Sequence, residues 1–158
     1  MLENSFPVLV ADVVAGKTAH KKNGSDELVE RADELLALVG LWESRERAAK
    51  TLAHGEQRAL EIGMALATRP KLLLLDEVAA GLTESEVDAM AQLIRRLRDE
   101  LDLSVIWIEH AVTTLLQYVE RVIVLHQGRK IADGTPAEVV RNALLSARSR
   151  IAFTATRR

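Results

Sequence analysis

An α/β fold with a mainly parallel sheet is predicted by three features of the sequence. Leu72-Leu73-Leu74-Leu75 is apolar at every position, as in a strand covered on both faces. A second apolar run, Leu103–Ile108, follows it after one amphipathic helical stretch. A third, Arg121–His126, comes next, and strands alternating with helical patterns build sheets flanked by helices.

The elements follow in chain order. Phe6–Val10 has strand character. Ser25 predicts the N-cap of a helix through Leu38, with Asp26 and Glu27 in its positive first turn. Leu28, Ala32, Leu35, Leu36 and Val39 recur at helical spacing, and Gly40 stands where a helix stops. Gly55 precedes a second helical stretch, Glu56 to Thr68, which Pro70 ends. Thr83-Glu84-Ser85-Glu86 is a capping box, and the helix behind it carries Val87, Met90, Ala91, Ile94, Leu97 and Leu101 on one face. Ala111–Val119 reads as a short helix. Gln127-Gly128 turns the third strand into Arg129–Asp133, a hairpin near the carboxyl end. Thr135-Pro136-Ala137-Glu138 is a second capping box with proline at the first helical position.

Composition excludes several classes. The 158 residues hold 21 Lys plus Arg against 23 Asp plus Glu, so no global field selects nucleic acid or an anionic membrane. Apolar residues make up 48%, which excludes disorder, while aromatics at 3% leave the core to aliphatic side chains. The absence of cysteine removes disulfides, thiolate metal sites and cysteine nucleophiles. The apolar runs are far shorter than the roughly 20 residues a membrane span needs. Met1 opens no charged-then-apolar signal segment, so a soluble intracellular chain is expected. From Arg141 to Arg158 the chain has five arginines and no acid, leaving −7 on the rest (−2 − 5). Residues 144–158 are expected to be a loose basic tail behind a domain over 1–143.

Chemistry concentrates at strand ends, where α/β sheets place their sites. The first apolar run ends in Asp76-Glu77 and the second in Glu109-His110. Two carboxylates behind a strand suit Mg-nucleotide chemistry: one holds Mg²⁺, the other orients or deprotonates a water. The bland alternative is that they solvate the strand end. In Leu52-Ala53-His54-Gly55-Glu56-Gln57 a glycine enters a helix, where backbone N–H groups and the helix dipole favour an anion. The alternative there is an ordinary helix start. His110 can donate to a phosphate or serve as a structural histidine.

The order of these features resembles the second half of an ATP-binding-cassette (ABC) ATPase. Residues 52–57 are similar to the family signature, usually written L-S-G-G-Q. Leu72–Glu77 resembles Walker B with its glutamate, Ala79-Ala80-Gly81-Leu82-Thr83 the D-loop, and His110 the switch histidine. LAHGEQ, then LEIGMAL, then AAGL, are similar to ATPases of branched-chain amino acid importers, with urea and amide importers nearby. The resemblance implies an incomplete P-loop NTPase fold over residues 1–143. It implies Mg²⁺ on Asp76, a water polarised by Glu77, and His110 on the γ-phosphate. Ala53, His54, Gly55, Glu56 and Gln57 would meet ATP held by a second ABC ATPase subunit, in a homo- or heterodimer. Transmembrane permease subunits are the further implied partners and nucleic acid is not. The implied place is the cytoplasmic face of the cell membrane. Ala53 replaces the signature serine, His54 a glycine, Val78 the usual proline and Thr83 the usual aspartate.

The family's phosphate-cradling loop and glutamine loop are not found in context ahead of residue 52. Ala11-Asp12-Val13-Val14-Ala15-Gly16-Lys17-Thr18 matches a relaxed phosphate-loop pattern. The residues after it, Ala19 to Gly24, make no apolar-faced helix, so Lys17 is expected in a solvated loop. The chain therefore reads as the carboxyl-terminal portion of such an ATPase, inactive alone. Without the phosphate-loop strand, an open sheet edge favouring association is expected. Two other readings stand beside this one. One is a non-catalytic module that completes a partner's ATP site. The other is a DNA-repair or chromosome-organising ABC ATPase, disfavoured because no sustained heptads occur.

Overall fold

The computed structural model describes residues 8–10, 24–109, 115–143 and 150–155, with side chains over 27–109 and 115–141. Its elements are β1 (Val8–Val10), α1 (Gly24–Leu38), α2 (His54–Leu66), β2 (Leu72–Asp76), α3 (Glu84–Leu101) and β3 (Ser104–Glu109). They are followed by β4 (Arg121–His126), β5 (Arg129–Gly134), α4 (Pro136–Ala143) and β6 (Arg150–Ala155). One six-stranded sheet has the order β1-β2-β3-β6-β4-β5.

The expected α/β fold is present, but parallel pairing is confined to β2 and β3. The other four pairings, β1–β2, β3–β6, β4–β5 and β4–β6, are antiparallel. The cause is connectivity. A parallel pair needs a long crossover, which the 18-residue α3 supplies between β2 and β3. β4 and β5 are joined only by Gln127 and Gly128, both at positive φ (47° and 75°), so this hairpin is antiparallel, as predicted. β3 and β4 run in the same direction, with β6 threaded antiparallel between them.

β6 also corrects the reading of 144–158 as a loose tail, because Arg150–Ala155 pairs on both sides inside the sheet. Alternation within Arg150-Ile151-Ala152-Phe153-Thr154-Ala155 is a strand pattern that the arginine count obscured. The open edges among the described strands are β1, with three residues, and β5. β5 carries exposed Arg129 and Lys130, and short or charged edges resist edge-to-edge pairing. Ala111–Val119 contains a 3₁₀ turn at Leu115–Gln117, and 110–114 lie outside the described residues.

Packing follows the sequence pattern. β2 buries Leu73 and Leu75, β3 buries Val105 and Trp107, and β4 buries Val122 and Val124. α3 lays Met90, Ala91, Ile94 and Leu97 on them, while Leu101 of the expected face is 38% exposed where the helix ends. α1 contributes Leu35, and Val39 just beyond it packs beside Gly63 of α2, where an added Cβ would lie 3.4 Å from the Val39 methyls.

Candidate nucleotide site

β2 carries the first carboxylates to the sheet's rim. Its alternating burial leaves Asp76, the last strand residue, exposed. The ladder runs one step further: the Glu77 N–H donates to the Ile108 carbonyl at 2.9 Å. Glu77 then turns with φ at 51°, a left-handed conformation uncommon for a residue with a side chain. The Ala80 N–H donates to the Glu77 carbonyl and the Leu82 N–H to that of Ala79, closing a compact loop. Val78, standing where the family usually has proline, is fully buried and anchors this loop in the core.

The capping box at α3 is formed. Glu86 accepts from the Thr83 N–H (2.8 Å) and the Thr83 hydroxyl (2.7 Å), and the Thr83 oxygen accepts from the Glu86 N–H at 3.4 Å. The Thr83 hydroxyl, and after it the Thr83 amide, hold the Glu86 carboxyl below its ordinary range. Thr135 and Glu138 repeat the arrangement at α4, where the Thr135 amide is the larger cause of the same lowering.

The segment 52–57 forms the start of α2. Leu52 is buried, and the Gln57 amide nitrogen donates to its carbonyl at 3.0 Å. Ala53 is the N-cap but offers no side-chain acceptor; Glu56 reaches back to accept from the Ala53 N–H at 2.8 Å. The Glu56 carboxylate also lies 3.5 Å from Arg47. His54 Nε2 sits 3.2 Å from the Ala80 carbonyl oxygen, so the start of α2 touches the loop that follows Glu77. A groove of about 680 Å³ between α2 and α3 is lined by Ala53, Gly55, Glu56, Glu86, Met90 and Arg96, and not by Asp76 or Glu77. The start of α2 thus meets the loop that follows Asp76-Glu77 through one contact, His54 with Ala80. His110 and Lys17 lie outside the described residues.

Sequence reasoning placed Glu109 at a strand end but gave it no role of its own. It is 2% exposed at the end of β3, and its Oε1 accepts from the Ala79 N–H at 2.8 Å and the Trp107 indole at 3.2 Å. An acid in an apolar strand was the available signal; it was absorbed into the reading of its neighbour His110.

The donor set suits Mg²⁺ shared with phosphates. Among the described residues no three His, Asp or Glu side chains cluster as a complete metal cage. Mg²⁺ is ordinarily held by one or two carboxylates, with nucleotide phosphates and water completing the shell. Asp76 and Glu77 fit that share.

Comparison with known proteins settles the kinship. Residues 3–80 match the ABC transporter family, a span containing both 52–57 and Asp76-Glu77. The chain is 41% identical over 123 residues to BraF, a high-affinity branched-chain amino acid transport ATP-binding protein of Pseudomonas aeruginosa, covering 78% of this chain and 48% of BraF. The chain belongs to the ABC transporter family of ATP-binding proteins. It is also 36% identical over 126 residues to LivG of Escherichia coli, another such protein, covering 80% of this chain and 49% of LivG. In structure this ABC family member is similar to cbiO1 of Clostridium perfringens, with a TM-score of 0.72 and 29% identity over 78% of this chain and 49% of that one. A nucleotide-free ATP-binding cassette gives a TM-score of 0.71 at 28% identity, over 78% of this chain and 48% of that one. The chain spans about half the length of the relatives it matches. No described helix is long and apolar enough to cross a membrane.

Proposed function

We propose that this chain supplies the signature and Walker B part of an ATP site in an importer of branched-chain amino acids. The observation that supports the reading is the contact of His54, in the segment 53–57, with the carbonyl of Ala80, three residues beyond Glu77. ATP would bring its own Mg²⁺, which polarises the phosphates. Asp76, exposed at the strand end, would hold the metal. Glu77, at the left-handed turn that ends the ladder, would orient the attacking water and accept its proton. Ala53, His54, Gly55, Glu56 and Gln57 present the start of α2 to a nucleotide held by a second ATPase subunit. Ala53, Gly55 and Glu56 line a groove that excludes Asp76 and Glu77, which supports this division between two nucleotides. Permease subunits at the cytoplasmic face of the membrane are the further partners. BraF and LivG, named for branched-chain amino acid transport, support that substrate class; urea and amides are the neighbouring alternatives. The 158 residues alone hydrolyse no ATP, because no phosphate loop precedes residue 52 in its family context.

The second reading is a module that only completes a partner's site. Adding the chain to a complete ABC ATP-binding subunit from the same organism separates the two. Both readings predict faster hydrolysis that is lost in Gly55→Asp. Loss in Glu77→Gln as well selects the first, while retention selects the module. No change in rate at tens of micromolar chain would contradict both.

A further inference from the structure

Glu109 and Arg98 are the buried charged residues among those described. Arg98 is accounted for by Glu120 at 3.1 Å and Asp99 at 2.8 Å. The burial of Glu109 calls for another explanation, since a carboxylate leaves water only when hydrogen bonds compensate. Its Oε1 accepts from two groups: the Trp107 indole, on its own strand, and the Ala79 N–H, thirty residues away in sequence. Ala79 is two residues beyond Glu77. The intervening Val78 is fully buried, so the backbone from 77 to 79 has little slack.

Glu77 is the strained member of this loop, with φ at 51°. Such a conformation persists only where the surroundings over-determine it. β3 supplies that determination twice: the Ile108 carbonyl holds the Glu77 N–H at 2.9 Å, and the Glu109 side chain holds the Ala79 N–H at 2.8 Å. We propose that Glu109 is a positioning residue, which fixes the turn after β2 so that Glu77 faces the nucleotide rim. The proposal rests on the reading of Glu77 as the water-orienting carboxylate. An apolar residue in place of Glu109 would fill the core equally well but would orphan the Ala79 amide and the Trp107 indole. Aspartate would keep the charge and fall short of Ala79. Glutamine would keep both the reach and the accepting oxygen.

The test is solution NMR on the full chain, as wild type, Glu109→Gln, Glu109→Asp and Glu109→Ala. Three quantities are read: Ala79 amide hydrogen exchange, Glu77 backbone shifts, which report its φ, and broadening of the Glu77 amide by Mn²⁺ as the metal probe. In the Asp and Ala variants Ala79 exchange is expected to rise about tenfold or more, with displaced Glu77 shifts and at least about threefold weaker Mn²⁺ broadening. Leu73 and Val105, inside the ladder, keep their wild-type exchange. The Gln variant stays within about twofold of wild type throughout. Should the Ala variant fail to fold, the Asp variant carries the comparison. Unchanged Ala79 exchange and Glu77 shifts would overturn the proposal. So would exchange raised uniformly across β2 and β3, or a Gln variant that behaves like Ala. If Mn²⁺ broadens neither Asp76 nor Glu77 in wild type, the metal reading fails, while the positioning role is still decided by exchange and shifts.

Discussion

Gly81 closes the loop after Glu77 with φ at 78°, and replacing it with alanine puts two effects in competition. The first is conformational: a residue with a Cβ in the left-handed region costs about 1–2 kcal/mol. The second is steric: an added Cβ would lie 3.4 Å from His54 Nε2 and 3.8 Å from His54 Cδ2, the near edge of ordinary contact. His54 is exposed and its ring can yield, so this contact is worth a few tenths of a kcal/mol at most. The conformational effect therefore dominates. Gly81→Ala should destabilise the chain by about 1–2 kcal/mol in urea unfolding, and by nearly the same amount in a His54→Ala background. Gly81→Asn should cost less than alanine, because asparagine tolerates left-handed backbone. A neutral alanine variant would refute the positive φ. A coupling above about 1 kcal/mol with His54 would show that the contact, and not the backbone, sets the cost.

Two further outcomes follow from packing and charge. Leu75, 1% exposed beside Asp76, loses about three carbons of buried surface on replacement by alanine, so Leu75→Ala should cost about 2–5 kcal/mol in urea unfolding, and under 1 kcal/mol would contradict the burial. The carboxyls of Glu86, Glu138 and Asp133 are held low, chiefly by Thr83, Thr135 and Arg121 in turn. Depressed folded values mean stability present above the ordinary carboxylate range and lost as pH falls through the lowered values, so the urea midpoint should hold from pH 7 to 5 and drop below about pH 4. A midpoint that climbs on acidification would contradict this sign.

Most of the scaffold was legible because local chemistry and tertiary demand agree. The four-leucine run, the capping boxes at Thr83 and Thr135 and the Gln127-Gly128 turn each name their own structure, and β4 falls on its expected bounds. Pairing direction was less legible, since antiparallel β1 and β6 depend on how distant segments return to the sheet, which periodicity does not encode. β6 was masked by counting arginines where alternation carried the signal. The place of Asp76 and Glu77 at the end of β2 could be read from the apolar run before them. The His54–Ala80 contact and the Glu109 clamp could not, because each joins residues 26 and 30 apart whose meeting depends on the finished fold.

In the proposed function these residues take part in two ATP sites, and residues 11–18 supply no phosphate cradle. The deciding measurement is calorimetric titration of Mg-ATP into the purified 158-residue chain, beside Lys17→Ala. No detectable binding by either protein is expected. Tight binding by the wild type that disappears in Lys17→Ala would make residues 11–18 a working phosphate loop and contradict this reading.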